Sequence, residues 1–414
     1  MKTTTHLDVD VIAHQNDDSV SLILELVAPP LPTGVVRQAQ HVQVVLDRSG
    51  SMSGDRIEAA KAGIAALIRR LAPTDSFGLV VFDDQVEVVV PAGPLTNKDA
   101  ALRATAAVEE RGSTDLCAGY LRGLQEAKRV RKACPGGTSL ILLSDGQANQ
   151  GITDPDALAT IARNAQREQG VVTTTVGIGL GYDEVLLSAM ARSGLGNDVF
   201  ALNPDDAAAA VCKEIDGLLA QTAQAVSLRV QMSPLVRGIT VHNDVPAVPM
   251  DDGLMLELGS LLADEQRSVL LTFDVPAIAA LRLAEIASLE LHWVKVPELV
   301  QQSLSIPVTV NVVPADVAAG RVRDPKVVSE IAYLKAQEDK RKAAEELRRG
   351  NVDGASAMYA AAGMALSAAP CLDADSYEEI QSLQELSREA LRDAAYTSKR
   401  SMSEAARKSR QRGR

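Results

Sequence analysis

Three short stretches of the chain gather side chains that carry oxygen donors. They are Asp47-Arg48-Ser49-Gly50-Ser51, Gly112-Ser113-Thr114-Asp115 and Ser144-Asp145-Gly146. Asp47, Ser49, Ser51, Thr114 and Asp145 together offer two carboxylates and three hydroxyls, with no histidine or cysteine among them. Hard oxygen donors of this kind suit Mg²⁺, Mn²⁺ or Ca²⁺ and not zinc. Two carboxylates balance the charge of a divalent ion, while Mg²⁺ asks for six oxygens. A position left open can therefore accept a carboxylate from another protein. Gly50 and Gly146 fit backbone that must turn tightly near an ion. Taken alone, Asp47, Ser49 and Ser51 could equally be a helix N-cap cluster. Thr114 and Asp145 tip the balance towards a metal site. Asp115 reads as a cap and stays outside the ligand set.

The flanking patterns say which elements would position these residues. Residues 42–46 form a short apolar strand that ends at Asp47, and residues 139–143 form another that ends at Ser144-Asp145. Between and after them the spacing predicts helices over residues 55–71, 100–108, 115–130, 155–168, 183–192 and 205–222. Strands are expected at 77–82, 86–90, 171–176 and 199–202. Strands alternating with amphipathic helices indicate crossover units on a mostly parallel sheet. In such sheets ligands bind beyond the carboxyl ends of the strands, which is where the three stretches fall.

The match to Asp47-x-Ser49-x-Ser51, then Thr114, then Asp145 resembles the metal-ion-dependent adhesion site of the von Willebrand factor A family, over roughly residues 40–222. That resemblance implies a Rossmann-like fold. It also implies direct coordination by the Oγ atoms of Ser49 and Ser51, and by Thr114 when ligand is bound. Asp47 and Asp145 would act partly through water, and an acidic residue of a partner would complete the octahedron. In some members the last helix, here 205–222, moves as ligation changes. Intracellular members often work with AAA-type ATPases or in complex-assembly systems.

Outside this segment the patterns differ. Residues 5–28 read as two strands around the polar turn 15–18, and a connector with proline and glycine, residues 29–34, follows them. Strand-like stretches return at 226–230, 239–241, 254–258, 268–275, 289–296 and 307–312, punctuated by prolines. Two strands cannot bury a core by themselves. Residues 1–34 are therefore expected to join residues 225–314 in a split antiparallel β-sandwich, with the α/β domain at 40–222 inserted in it. This arrangement resembles the one found next to the A-type domains of integrin β-subunits. Residues 315–414 read as helical, with helices at 325–348, 353–369 and 375–408 and a basic end. The expected fold class is thus α/β: a Rossmann-like domain with a mostly parallel central sheet, inserted in a split sandwich and followed by a helical region.

Composition narrows the function. The 414 residues carry a formal net charge of −12, and aromatics make up only 3%. Both weigh against nucleic acid as a partner, although one A-type branch belongs to a ribonucleoprotein and the basic end, 399–414, could touch acidic polymers or lipids. A solvated, frayed helix end is the plainer expectation there. Cys117, Cys134, Cys212 and Cys371 are widely spaced, which argues for neither zinc nor a disulfide framework. Residues 1–15 do not have the pattern of a signal peptide, and no apolar run is long enough to span a membrane. A cytoplasmic setting is the expectation. Gly177-Ile178-Gly179-Leu180-Gly181 has the wrong spacing for a dinucleotide loop and reads as a tight turn. Residues 135–138 lack the lysine of a phosphate loop. His6, His14, His41, His242 and His292 are scattered, Trp293 reads as core, and Asp83-Asp84 reads as a solvated turn.

The expected function is a metal-dependent protein-interaction module, not an enzyme, which takes an acidic residue of a partner, possible partners including an AAA-type ATPase system. The alternatives are a metal-dependent hydrolase or phosphotransferase, since a bound ion can act as a Lewis acid, and RNA binding. Against the hydrolase, Ser49 stands where an acid-base carboxylate would be wanted.

Overall fold

The computed structural model describes residues 1–32, 38–134, 137–145, 148–279 and 281–410. Gly146, residues 135 and 136 of the glycine-containing stretch 135–138 and the last four residues of the basic end lie outside them.

Three strands open the chain: β1 (Lys2–Leu7), β2 (Val11–Ala13) and β3 (Asp18–Val27). The α/β segment then runs β4 (His41–Asp47), α1 (Asp55–Arg70), β5 (Ser76–Phe82), β6 (Val86–Pro94), α2 (Lys98–Ala106), α3 (Leu116–Val130), β7 (Thr138–Ser144), α4 (Pro155–Gln169), β8 (Val171–Ile178), α5 (Glu184–Ser193), β9 (Leu195–Ala201) and α6 (Pro204–Leu219). Strands follow again: β10 (Gln221–Met232), β11 (Gly238–Val241), β12 (Ala247–Met250), β13 (Gly253–Leu262), β14 (Gln266–Val275), β15 (Leu283–Lys295) and β16 (Val300–Val313). The helices α7 (Ala315–Ala319), α8 (Pro325–Arg348), α9 (Val352–Ser367), α10 (Ala374–Ala390) and α11 (Ala394–Arg410) come last.

The chain divides into two compact units. One holds Met1–Leu31, Thr222–Lys295 and Leu299–Arg414; the other holds Pro32–Gln221 and Val296–Glu298.

The second unit is the expected α/β fold. Its sheet has the order β6-β5-β4-β7-β8-β9, parallel throughout except for the edge strand β6. Every residue of β4, β5 and β7 is buried. This is why they read as continuous apolar runs: helices cover both faces of a parallel sheet. One apolar layer joins Val42, Val44 and Leu46 to Ile57, Ile64, Leu67 and Val211 of α1 and α6. The other joins Val45, Val80 and Leu142 to Leu116, Tyr120, Leu158 and Leu186 of α3, α4 and α5. Three helices start on a capping aspartate: Asp115 accepts from the Ala118 amide at 2.9 Å, Asp154 from the Ala157 amide at 2.9 Å, and Asp183 from the Leu186 amide at 3.1 Å. Asp115 is thus the cap that its position suggested.

The first unit contains two sheets, in the orders β1-β3-β14-β11 and β12-β13-β10-β15-β16-β2. Strands from before and after the α/β segment share both of them. β3 runs antiparallel to β14 over ten residue pairs, so that Leu24 faces Val269. The inner faces close over Leu22, Leu24, Leu228, Leu256, Phe273 and Leu289, and Trp293 packs half-buried against this core. Three expectations are corrected here. The first 28 residues form three strands, not two, because residues 8–10 carry the chain from one sheet to the other. The second sheet is mixed, since β2 lies parallel to β16. The prolines at 246 and 249 do not exclude a strand, because β12 is an edge strand, where a missing amide is tolerated.

The helical region packs on the outer face of the first sheet, with Ile23 and Leu270 buried against Val327, Tyr333 and Leu334. Residues 375–408 are not one helix. α10 ends at Ala390, and Asp393 restarts the chain as α11 by accepting the Tyr396 amide at 3.0 Å. The turn lets α11 lie on α8, where the Ser401 hydroxyl donates to the Lys340 carbonyl at 3.1 Å. The basic end is consequently not frayed up to Arg410: Lys399, Ser401 and Ala405 are buried, and Lys408 pairs with Glu379 at 2.7 Å. The short helix α7 had no signature in the sequence pattern.

Candidate metal centre

In register, Leu46 lies between Val81 of β5 and Leu143 of β7. The chain leaves the sheet one step later on both β4 and β7, so Asp47 and Ser144-Asp145 stand side by side at the carboxyl end. Both carboxylates are buried, Asp47 at 0% and Asp145 at 1% exposure. Asp47 Oδ1 accepts the Ser49 amide at 2.8 Å, and its Oδ2 accepts the Ser144 hydroxyl at 2.6 Å. The Ser49 and Ser51 hydroxyls are 3.1 Å apart, and the Ser51 hydroxyl donates to Asp145 Oδ1 at 2.8 Å. Ser49 is buried and Ser51 exposed, so the cluster opens to solvent on the Ser51 side.

Four of the five expected residues are therefore joined directly. Thr114 joins through its loop. The Gly50 amide donates to the Gly112 carbonyl at 3.2 Å and the Arg111 amide to the Arg48 carbonyl at 2.7 Å, which stitches the two loops together. The Thr114 amide donates to Asn149 Oδ1 at 3.1 Å, and its carbonyl accepts the amides of Asn149 and Gln150 at 3.2 Å each. Thr114 itself is buried.

The residues that hold these loops were not all legible beforehand. Asp83 is not a solvated turn. It is fully buried, and its Oδ2 accepts both Arg48 Nε at 2.7 Å and Arg111 Nε at 2.9 Å. Arg48 Nη1 also donates to Glu87 at 2.9 Å. Burial alone would raise the Asp83 pKa, but the Gln85 amide and the two guanidinium groups outweigh it and hold the carboxyl below its ordinary range. One acid thus clamps an arginine from each ligand loop, and only Asp84 of the pair is exposed. The signal was available: a carboxylate at the end of the strand beside β4, with one arginine in each neighbouring loop. Gly112 makes the close approach possible. It has φ of +75°, and a Cβ there would stand 2.5 Å from Asp84 Oδ1 and 3.0 Å from Asp83 Cβ.

Asp47 shows the opposite balance. Burial pushes its pKa up, the charge of Asp145 adds to this, and the Ser144 and Ser49 contacts only partly offset it. A divalent cation would relieve that strain. The donor set also has suitable spacing. Neighbouring ligands of an octahedral Mg²⁺, bonded at about 2.0–2.1 Å, lie roughly 2.9 Å from each other. The string Ser49 Oγ, Ser51 Oγ, Asp145 Oδ1 has steps of 3.1 and 2.8 Å. The residues present fit a hard divalent cation. Among the described residues no cluster of three or more His, Cys, Asp or Glu side chains could hold a metal, so this set depends on its hydroxyls.

A doubly wound sheet carrying an oxygen-rich cluster at its carboxyl end defines the structural class. Residues 41–214 match the family pattern described as the von Willebrand factor type A domain. That segment is thus a domain of the von Willebrand factor A type, a type that often serves as a protein-interaction module. The chain is similar to the uncharacterized protein YfbK of Escherichia coli, 27% identical over 47% of this chain and 34% of that one. It is also similar to the uncharacterized protein sll0103 of Synechocystis, 27% identical over 55% of each. The chain thus spans about a third to half of the length of these curated relatives. Among solved structures, a von Willebrand factor type A protein from Catenulispora acidiphila aligns with a TM-score of 0.73 at 17% identity, over 93% of this chain and 89% of that one. The ArnB paralog VWA2 from Sulfolobus acidocaldarius aligns with a TM-score of 0.66 at 16% identity, over 99% and 97%. These two likenesses concern the fold. No helix among the described residues is long and apolar enough to cross a membrane.

Proposed function

We propose that the chain is a divalent-metal-dependent protein-interaction module, which binds an acidic residue of a partner through an ion held by Asp47, Ser49, Ser51, Thr114 and Asp145. The observation that carries this reading is the string of oxygens at octahedral spacing beside two buried carboxylates, open to solvent at Ser51. Mg²⁺ is the favoured ion, with Mn²⁺ or Ca²⁺ as substitutes. Its contribution is one coordination position that a partner's carboxylate can fill. The protein's own residues do the rest. Asp47 is fixed by Ser144 and the Ser49 amide, and the Asp83 clamp fixes the loops that carry Ser49 and Thr114. A protein with an exposed Asp or Glu is the expected partner, in a cytoplasmic setting, and an AAA-type ATPase system is the partner class suggested by the resemblance. The test is calorimetric titration of Mg²⁺ and Mn²⁺ into chelator-stripped protein. One equivalent should bind to the wild type and none to Asp47→Ala. If Asp47→Ala binds as well as the wild type, the assignment fails.

A further inference from the structure

Asp145 has a companion that an oxygen-only site does not require. Arg56, in the first turn of α1, sends Nη1 to Asp145 Oδ2 at 2.5 Å and to the Ser51 carbonyl at 3.1 Å. The Arg56 side chain is 42% exposed and that of Asp145 not at all, so the guanidinium lies at the rim and the carboxylate beneath it. The turn after β8 lies against the guanidinium. Gly179 has φ of +75°, and a Cβ there would stand 3.4–3.5 Å from Nε, Nη2 and Cζ of Arg56. A longer side chain growing from that point would crowd the guanidinium.

Asp47 has no such cation; its partners are a hydroxyl and an amide. Two carboxylates facing one guanidinium leave one negative charge uncompensated. A dication would find both acids, but it would also meet a fixed positive charge on one of them. At such short range that repulsion opposes the ion even where solvent at the rim screens part of it. We propose that Arg56 is the resident counter-ion of the metal-free site, and that a divalent cation takes Asp145 from it, so that metal entry and Arg56 departure are one exchange. The inference rests on the metal-site reading above. It adds that metal loading releases a guanidinium at the rim, beside the position where a partner's carboxylate would arrive.

The experiment compares wild type, Arg56→Ala, Arg56→Lys and Arg70→Ala, all stripped of metal and titrated with Mg²⁺. Arg70 is the control: it lies on the same helix, roughly 21 Å along the axis, and its loss changes net charge equally. Arg56→Ala should bind Mg²⁺ at least about tenfold more tightly, the effect of removing an adjacent charge, whereas Arg70→Ala should match the wild type. Arg56→Lys, which keeps the charge and loses the fork, should fall between, and it serves if the alanine variant does not fold. Without metal, Arg56→Ala should melt below the wild type, and saturating Mg²⁺ should close that gap. Unchanged Mg²⁺ affinity in Arg56→Ala, or a melting gap that survives saturating Mg²⁺, overturns the exchange. Such a result would leave the metal site intact if Asp47→Ala still abolishes binding. No binding of Mg²⁺ or Mn²⁺ by any of these proteins would instead remove the site on which the exchange depends.

Discussion

Two of the molecule's carboxylate clusters are treated in opposite ways. In the helical region, Glu379 and Glu404 meet three cations. Lys340 lies 3.1 Å from the first and 2.6 Å from the second, Lys408 lies 2.7 Å from Glu379, and Arg400 lies 2.8 Å from Glu404. Burial would raise both acids, but Lys340 and its neighbours override it: Glu379 is lowered and Glu404 is brought down to about 2. At the end of the central sheet, Asp47 and Asp145 meet one cation among the described residues, Arg56, and Asp47 is pushed up. A cluster whose charges close on themselves ties α8, α10 and α11 together. A cluster left short of positive charge, with an open mouth, is suited to take a cation from outside.

The sharpest way to break this contrast is to remove one member from each cluster. Lys340→Ala should cost about 3 kcal/mol, because it removes the fully buried cation shared by Glu379 and Glu404 and leaves each acid with one partner, and it should leave Mg²⁺ binding unchanged. Chemical denaturation and titration of the same variant read both. Asp145→Ala should do the reverse, lowering Mg²⁺ affinity by about 100-fold or more with little loss of folding stability in chelator. If Lys340→Ala weakened Mg²⁺ binding as much as Asp145→Ala does, the division between the clusters would be wrong.

Acid should separate the two units as well. His41 is buried in β4, and burial lowers its pKa from 6.5 to about 4. The unfolded chain then binds the proton more readily, so the stability that neutral His41 contributes is complete above about pH 6.5 and is lost as pH falls towards 4. Glu404 is depressed from 4.5 to about 2, so its contribution is complete above 4.5 and is lost between there and 2. Melting followed against pH should show the α/β unit weakening first. His41→Gln should flatten the upper part of the profile and leave the lower part unaltered.

Two smaller effects sharpen the picture. Gly112→Ala should cost about 1–3 kcal/mol for a side chain at positive φ, and should weaken Mg²⁺ binding less than Asp145→Ala does, since it displaces the loop and removes no ligand. Asp393→Ala should cost about 1 kcal/mol, the usual value of a cap, and should be silent in every metal titration. A large effect of Asp393→Ala on Mg²⁺ binding would contradict the separation drawn above.

The sequence pattern made the parallel sheet legible because β4, β5 and β7 are covered on both faces and read as unbroken apolar runs. The five candidate ligands were legible because each falls at a strand end or in a loop ahead of a helix. Harder to read was whatever depends on distant charge. Asp83 looks like any polar turn residue until Arg48 and Arg111 are placed on it. Arg56 is an ordinary first-turn helix residue until Asp145 is placed beneath it. The break between α10 and α11 escaped detection because residues 375–408 keep helix-forming composition throughout. Only the gain from laying α11 on α8 favours a turn there. In β12 the prolines concealed a strand whose place at a sheet edge a local pattern does not reveal.

The pairing of β3 with β14 bears on when the protein can be completed. Val20, Leu22, Leu24 and Leu26 leave the ribosome ahead of the α/β segment, and the strand that covers them is made only after the whole of it. At ~5–20 residues per second, that delay is on the order of tens of seconds. During it β1 can already shield one edge of β3 in a local hairpin, with Lys2 facing Val27. The other edge must wait. The α/β segment, whose strands pair only with one another, can fold meanwhile. A nascent chain halted just after Gln221 would therefore present a finished α/β segment and an unfinished sandwich, its apolar hairpin offered to chaperones or to other nascent chains.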